Sequence, residues 1–210
     1  MVRSLQRRKY RQQERASIVE GVRAVDDVLA AGVRPLSVYL REDADPGAGA
    51  GIPDSLPVRY VTPQLFDTLT DTAHPQGVLA VVPMLEEAAL PEVSTRPVVL
   101  ILDGVRDPGN MGTLIRSAAG AGIDHLVIGP ECVDVYHPRA VRAATGAHFR
   151  IPFSHLAWDD LAPYLANFDV VGVADAHGAA EYDIVGWTSS AAMIVGGEAF
   201  GPSSRAYDCA

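Results

Sequence analysis

The chain has a single lysine, Lys9, and only two cysteines, Cys132 and Cys209, in 210 residues. Two thiols without metal-type spacing exclude a disulfide framework and a cysteine zinc site. They fit a reducing compartment, and the cytoplasm is the expected location. No apolar run approaches the roughly 20 residues that a membrane-spanning helix needs. The basic start is not followed by the apolar core of a signal peptide. Neither a GxGxxG nor a GxxxxGK[ST] loop is present, which weakens dinucleotide and NTPase readings. The six histidines are scattered, without an HExxH pair, so no metal site is expected. No G-x-S-x-G elbow supports a hydrolase triad.

Positive charge is also scarce. A formal net charge of −9 argues against coating nucleic acid by bulk charge. Yet Arg3, Arg7, Arg8, Lys9, Arg11 and Arg15 crowd the start of the chain, with Glu14 the one acid among them. This is either a basic arm that meets phosphates or a frayed, solvated terminus.

A hydrophobic content of 48% suffices for a globular core. The first half reads as a small α/β module. Residues 17–20, 36–40, 58–61 and 77–82 are extended. Residues 21–31 carry Val22, Val25, Val28 and Leu29 at helical spacing, with Gly32 at the C-cap, and Thr62 caps a helix over 63–69. Residues 45–53 are too rich in Gly and Pro for regular structure. Pro91, Pro97 and two acids mark 85–96 as a linker, giving domains at 1–84 and 97–210. The second half alternates strands (98–102, 126–128, 151–153, 170–173, 192–195) with helices (112–121, 139–144, 159–168), which implies a mostly parallel sheet covered by helices.

Ligands of such sheets gather beyond the carboxyl ends of the strands, which directs attention to loops 103–110, 174–178 and 196–204. The first leads into Asn110, suited to cap the next helix, and to Arg116, set among small and apolar neighbours. An arginine there either snorkels to solvent or is held for an anion; Asn110 is either a cap or a site residue. In the third loop Glu198 sits between glycines that allow close backbone approach or simply a tight turn. In the tight-turn reading Ser203 or Ser204 caps the helix that follows. His137, Arg139 and Arg142 either add positive charge near the site or mark an exposed helix start.

The D-x-x-x-D-P-x-N-x-G-x-x-x-R run over 103–116 and the G-x-E-x-x-G run over 196–201 resemble the first two motifs of the SpoU branch of the SPOUT methyltransferases. Val19-Glu20-Gly21 opening a helix and Gln76-Gly77-Val78-Leu79-Ala80 opening a strand are similar to the L30e-like RNA-binding domain often attached to that family. The resemblance implies an α/β fold of an L30e-like domain and a SPOUT trefoil-knot domain working as a homodimer. It implies methyl transfer from S-adenosylmethionine to a ribose 2'-hydroxyl of RNA, ribosomal rather than transfer RNA. It places Asn110, Arg116 and Glu198 in the active site, Ala174, Gly196 and Gly201 around the cofactor, and Arg7, Arg8, Lys9 and Arg11 on RNA. Arg116 is expected to bind an RNA phosphate and orient the hydroxyl, since a free guanidinium is a poor base. The family's third motif has no counterpart before Asp208-Cys209-Ala210, so the knot and cofactor site are expected to be truncated. The alternatives are a non-catalytic RNA-binding protein on the same scaffold and a small-molecule α/β enzyme using a nucleotide cofactor.

Overall fold

The structure, a computed structural model, describes residues 2–45, 47–178, 181 and 184–210. By packing, the chain forms two compact units: Met1–Leu85 with Asp134–Arg150, and Glu86–Val133 with Ile151–Ala210.

The first unit begins with a 3-10 turn, Val2–Gln6, and helix α1, Arg8–Glu14. Arg15 takes a left-handed conformation (φ 49°) and turns the chain into strand β1, Ala16–Glu20. Helix α2, Val22–Ala30, buries Ala24, Val25 and Val28. Its end is closed by Gly32 (φ +76°), with Val33 N donating to Val28 O and Gly32 N to Leu29 O, the paired bonds of a Schellman stop. Strands β2, Ser37–Arg41, and β3, Val58–Val61, run parallel. Helix α3, Pro63–Asp67, starts where the Thr62 side chain accepts from Leu65 N. Strand β4, Val78–Pro83, pairs antiparallel with both β1 and β2, giving the order β1-β4-β2-β3. Residues 78–82 are buried, as expected of a central strand covered on both faces. Apart from residue 46, which lies outside the described residues, loop 45–53 has no helix or strand.

In the second unit, strand β5, Val98–Asp103, leads into helix α4, Pro108–Ala121, and strand β6, His125–Ile128. The chain then runs through helix α5, Pro138–Ala144, which packs on β1 within the first unit. It returns as strand β7, Phe153–His155, helix α6, Trp158–Leu165, strands β8, Val170–Ala174, and β9, Ala191–Gly196, and helix α7, Ser204–Asp208. All pairings are parallel, in the order β7-β6-β5-β9-β8. This is the α/β class with a mostly parallel second sheet that the sequence led us to expect.

Two features add to the sequence reading. Residues 134–150, read as part of a continuous 97–210 domain, pack with the first unit, because Ala140, Val141 and Ala144 form a small buried face over β1. The linker 85–96 lies partly along the edge strand: Ala88 N donates to Phe153 O, and the Glu87 carboxylate meets the backbone N–H and ring of His155.

Candidate active site

The pairing of β5 with β9 builds the site. Asp103 stands opposite Gly196, so the loops after the two strands issue side by side. From β5 the chain proceeds outward to β6 and β7, whereas β8 and β9 lie on its other side. The carboxyl ends of β5 and β9 therefore flank the point where strand order reverses, where ligands of open parallel sheets bind.

The loops are bound to each other. Asp103, 4% exposed, accepts Ser203 N at 2.7 Å through Oδ2, a link across 100 residues. Gly197 N donates to Asp103 O at 3.1 Å, and Gly201 N to Gly197 O at 2.8 Å. Backbone crowds both glycines that begin the turn. A Cβ on Gly196 would lie 2.0 Å from Pro202 N, and one on Gly197 2.4 Å from Gly104 O. Gly201 turns the chain at φ +67°. These glycines are sterically required, beyond merely permitting a turn.

Between the loops lies a cavity of about 760 Å³, within the range of small-molecule sites. Val105, Leu114, Trp158 and Val195 form apolar wall, while Asn110 and Glu198 supply an amide and a carboxylate. Helix α4 contributes Asn110, Thr113 and Leu114, the i, i+3, i+4 spacing of one helical face. Helix α4 starts earlier than the sequence suggests: Asp107, not Asn110, caps it, accepting from Asn110 N at 3.0 Å with Pro108 in the first turn. The Asn110 side chain is thereby released from capping. The Ser203 Oγ, also at the cavity wall, is buried and meets no hydrogen-bond partner among the described residues.

Of the residues singled out from sequence, Asn110, Gly196, Glu198 and Gly201 line this cavity; Arg116 and Ala174 do not. Arg116 is exposed. At about 100° per residue it points about 120° from Asn110 and about 160° from Leu114 around the helix. Arg116 thus does not join Glu198 in lining this cavity within one chain. The guanidinium groups that do line the cavity are those of Arg106 and Arg205. Arg106 pairs with Glu131 and lies 5.9 Å from the Phe200 ring centre; Arg205 pairs with Asp159 at 2.7 Å. The sequence reading did not single out Arg106, and nothing in the sequence around Trp158 or Glu131 marks them as neighbours of this loop. Ala174 ends β8 opposite Val195. Beside it the Tyr207 hydroxyl donates to Asp175 Oδ2 at 2.5 Å, holding that carboxyl below its ordinary range and pushing the phenol up.

The basic start is ordered. Arg7, Arg8 and Lys9 are exposed, but Arg11 is 1% exposed. Its guanidinium is committed to Asp134 at 2.6 Å and to the carbonyls of Leu5 and Gln6, so the expectation that Arg11 faces RNA gives way to an internal ion pair. His137 caps α5, and Arg142 pairs with Asp71 and Glu20, all within the first unit. Both cysteines are free; burial pushes the Cys132 thiol up. Among the described residues no cluster of His, Cys, Asp or Glu is arranged to hold a metal ion, and no helix is long and apolar enough to cross a membrane.

Comparison with known proteins bears on both units. Residues 97–210 match the model of the SpoU rRNA Methylase family, and residues 1–80 that of the MRM3-like substrate binding domain. A mitochondrial rRNA methyltransferase 3A of Danio rerio is 32% identical over 210 residues, covering 95% of this chain and 45% of its own length. This chain thus spans less than half of that relative. A 23S rRNA (guanosine(2553)-2'-O)-methyltransferase of Bacillus subtilis is 28% identical over 203 residues, with 95% and 78% covered. Among solved structures, an AdoMet-bound rRNA methyltransferase from Sinorhizobium meliloti aligns with a TM-score of 0.81 at 25% identity, covering 99% of this chain and 80% of that one.

Proposed function

This chain belongs to the SpoU rRNA methylase family, and from that premise we propose that it transfers a methyl group from S-adenosylmethionine to a ribose 2'-hydroxyl of ribosomal RNA. The observation that carries the proposal is the cavity at the β5/β9 switch point, where both family motifs converge on Asn110 and Glu198.

The residues fit the cofactor. Apolar wall from Val105, Leu114, Trp158 and Val195 suits a nucleoside ring, and carboxylates at the rim suit a cationic ligand. The buried, unpartnered Ser203 hydroxyl offers a hydrogen bond to whatever enters. Gly196 and Gly201 keep the second loop tight enough for its backbone to form the wall. When bound, S-adenosylmethionine supplies an electrophilic methyl on a sulfonium centre. The protein's task is then orientation, since a ribose hydroxyl reacts only when held in line and relieved of its proton. Asn110 can donate to ribose or phosphate oxygen, and Glu198 can accept the hydroxyl's hydrogen bond. Arg116 stays in the proposal as the phosphate-binding residue. Its exposure away from its own chain's cavity supports a homodimer in which it serves a second copy's site.

Exposed Arg7, Arg8 and Lys9, inside the segment that matches a substrate-binding domain, support RNA contact by the first unit. The trefoil knot that the resemblance implies, expected to be incomplete in this chain, belongs to the proposal; the turn after β9 is bonded back to Asp103 at the end of β5. A cytoplasmic location is supported by the two free thiols. Mass-spectrometric mapping of ribose methylation in ribosomal RNA, with and without the gene, tests the activity. One 2'-O-methyl group disappears on deletion; an unchanged map contradicts the proposal.

One observation favours a second reading, RNA binding without transfer: Arg116 does not line the cavity. Under that reading S-adenosylmethionine releases no heat on titration, whereas methyl transfer requires that it bind.

A further inference from the structure

The second loop displays one side chain that neither packing nor the motif explains. Phe200 is 84% exposed, more than any other exposed large hydrophobic among the described residues. Leaving a phenylalanine in water forgoes the stabilisation its burial would give. Phe200 is not on a frayed segment: it sits inside the turn closed by Gly201 N on Gly197 O, which follows two glycines, Gly196 and Gly197, crowded by neighbouring backbone. The ring is thus held out at the cavity rim. Arg106 lies beside it, 5.9 Å from the ring centre, and is itself steadied by Glu131.

We propose that Phe200, together with the Arg106 guanidinium, is the stacking platform for a nucleobase of the RNA, fixing the acceptor nucleotide over the cavity. This rests on the RNA methyltransferase reading and adds a positioning residue to it. An aromatic face next to a guanidinium plane is the chemistry that holds unstacked bases. A flat base covers one such ring, whereas a protein partner covers about 800 Å² of surface per side. The rim around Phe200 carries Arg106, Asp107, Glu131 and Glu198, so a second copy that brings Arg116 to this cavity meets a charged periphery at Phe200 and not the apolar centre of the contact. Asn110 and Glu198 line the same cavity, and the proposal places the ribose of the stacked base beside them. The cation also offsets the rim carboxylates that would otherwise repel the phosphates.

The test combines ultraviolet crosslinking and binding of the full chain to purified total ribosomal RNA. The expected adduct is a nucleotide on Phe200. Phe200→Ala weakens binding about tenfold, and Phe200→Trp restores it, with melting temperature unchanged in both. Equal RNA affinity of wild type and Phe200→Ala, with no adduct at Phe200, overturns the platform and leaves the RNA reading standing. Failure of the wild type to bind RNA overturns that reading itself. A change in oligomeric mass in Phe200→Ala would make Phe200 a subunit contact and also overturn the platform.

Discussion

Arg8 and Arg11 are three residues apart on α1, yet one is solvated and the other is 1% exposed beside Asp134. Removing one partner of a buried pair strands the other's charge. Arg11→Ala should therefore lower stability by about 3–5 kcal/mol, read as a drop in the denaturant midpoint. Its effect on the salt dependence of RNA binding should be nil. Arg8→Ala should do the reverse: unchanged stability, and a slope of log affinity against log salt shallower by about 1. From sequence both looked alike, because a cluster of cations does not say which member has a carboxylate waiting 123 residues away. Arg116 makes the same point in the opposite sense. Motif position singled it out, but helical phase turns it from its own cavity. Arg116→Ala should abolish methyl transfer while leaving S-adenosylmethionine binding, followed by calorimetry, intact; full turnover would remove it from the site.

At the level of elements, local chemistry was legible wherever it was self-contained. Gly32 ended α2 and Thr62 began α3 as their residue types suggested. Helix α4 began earlier than expected because Asp107 and Pro108 form a better start than Asn110: the aspartate accepts the backbone N–H, and proline has none to leave unpaired. The alternation of β and α pointed to a parallel sheet, but strand order was not readable, and the placement of β9 next to β5 is what brings the motif loops together. Two glycine substitutions separate a required glycine from an incidental one. Gly196→Ala places a methyl group against the Pro202 backbone and should cost about 1–3 kcal/mol, with loss of cofactor binding. Gly120→Ala, on α4 with open space around it, should stabilise by about 0.5–1 kcal/mol, seen as a higher melting temperature.

Over the whole molecule, the formal charge of −9 coexists with a small exposed basic surface on α1, so RNA contact rests on placement instead of bulk charge. The fold also carries a pH dependence. His148 is buried, with Nε2 2.7 Å from Val135 O, and burial lowers its pKa from 6.5 to about 4. The unfolded chain takes up that proton near pH 6.5 and the folded chain only near 4. Its contribution to stability is therefore complete above pH 6.5 and lost as pH falls through that window, by up to about 3 kcal/mol. Burial lowers His125 in the same direction. Denaturant midpoints measured from pH 7 down to 4 should fall in wild type and fall less in a His148→Gln variant that still folds. Hydrogen–deuterium exchange with and without S-adenosylmethionine tests the central claim most directly. The account predicts slowed exchange at residues 104–107 and 196–203 together; protection confined to other segments, or none at saturating ligand, would contradict it.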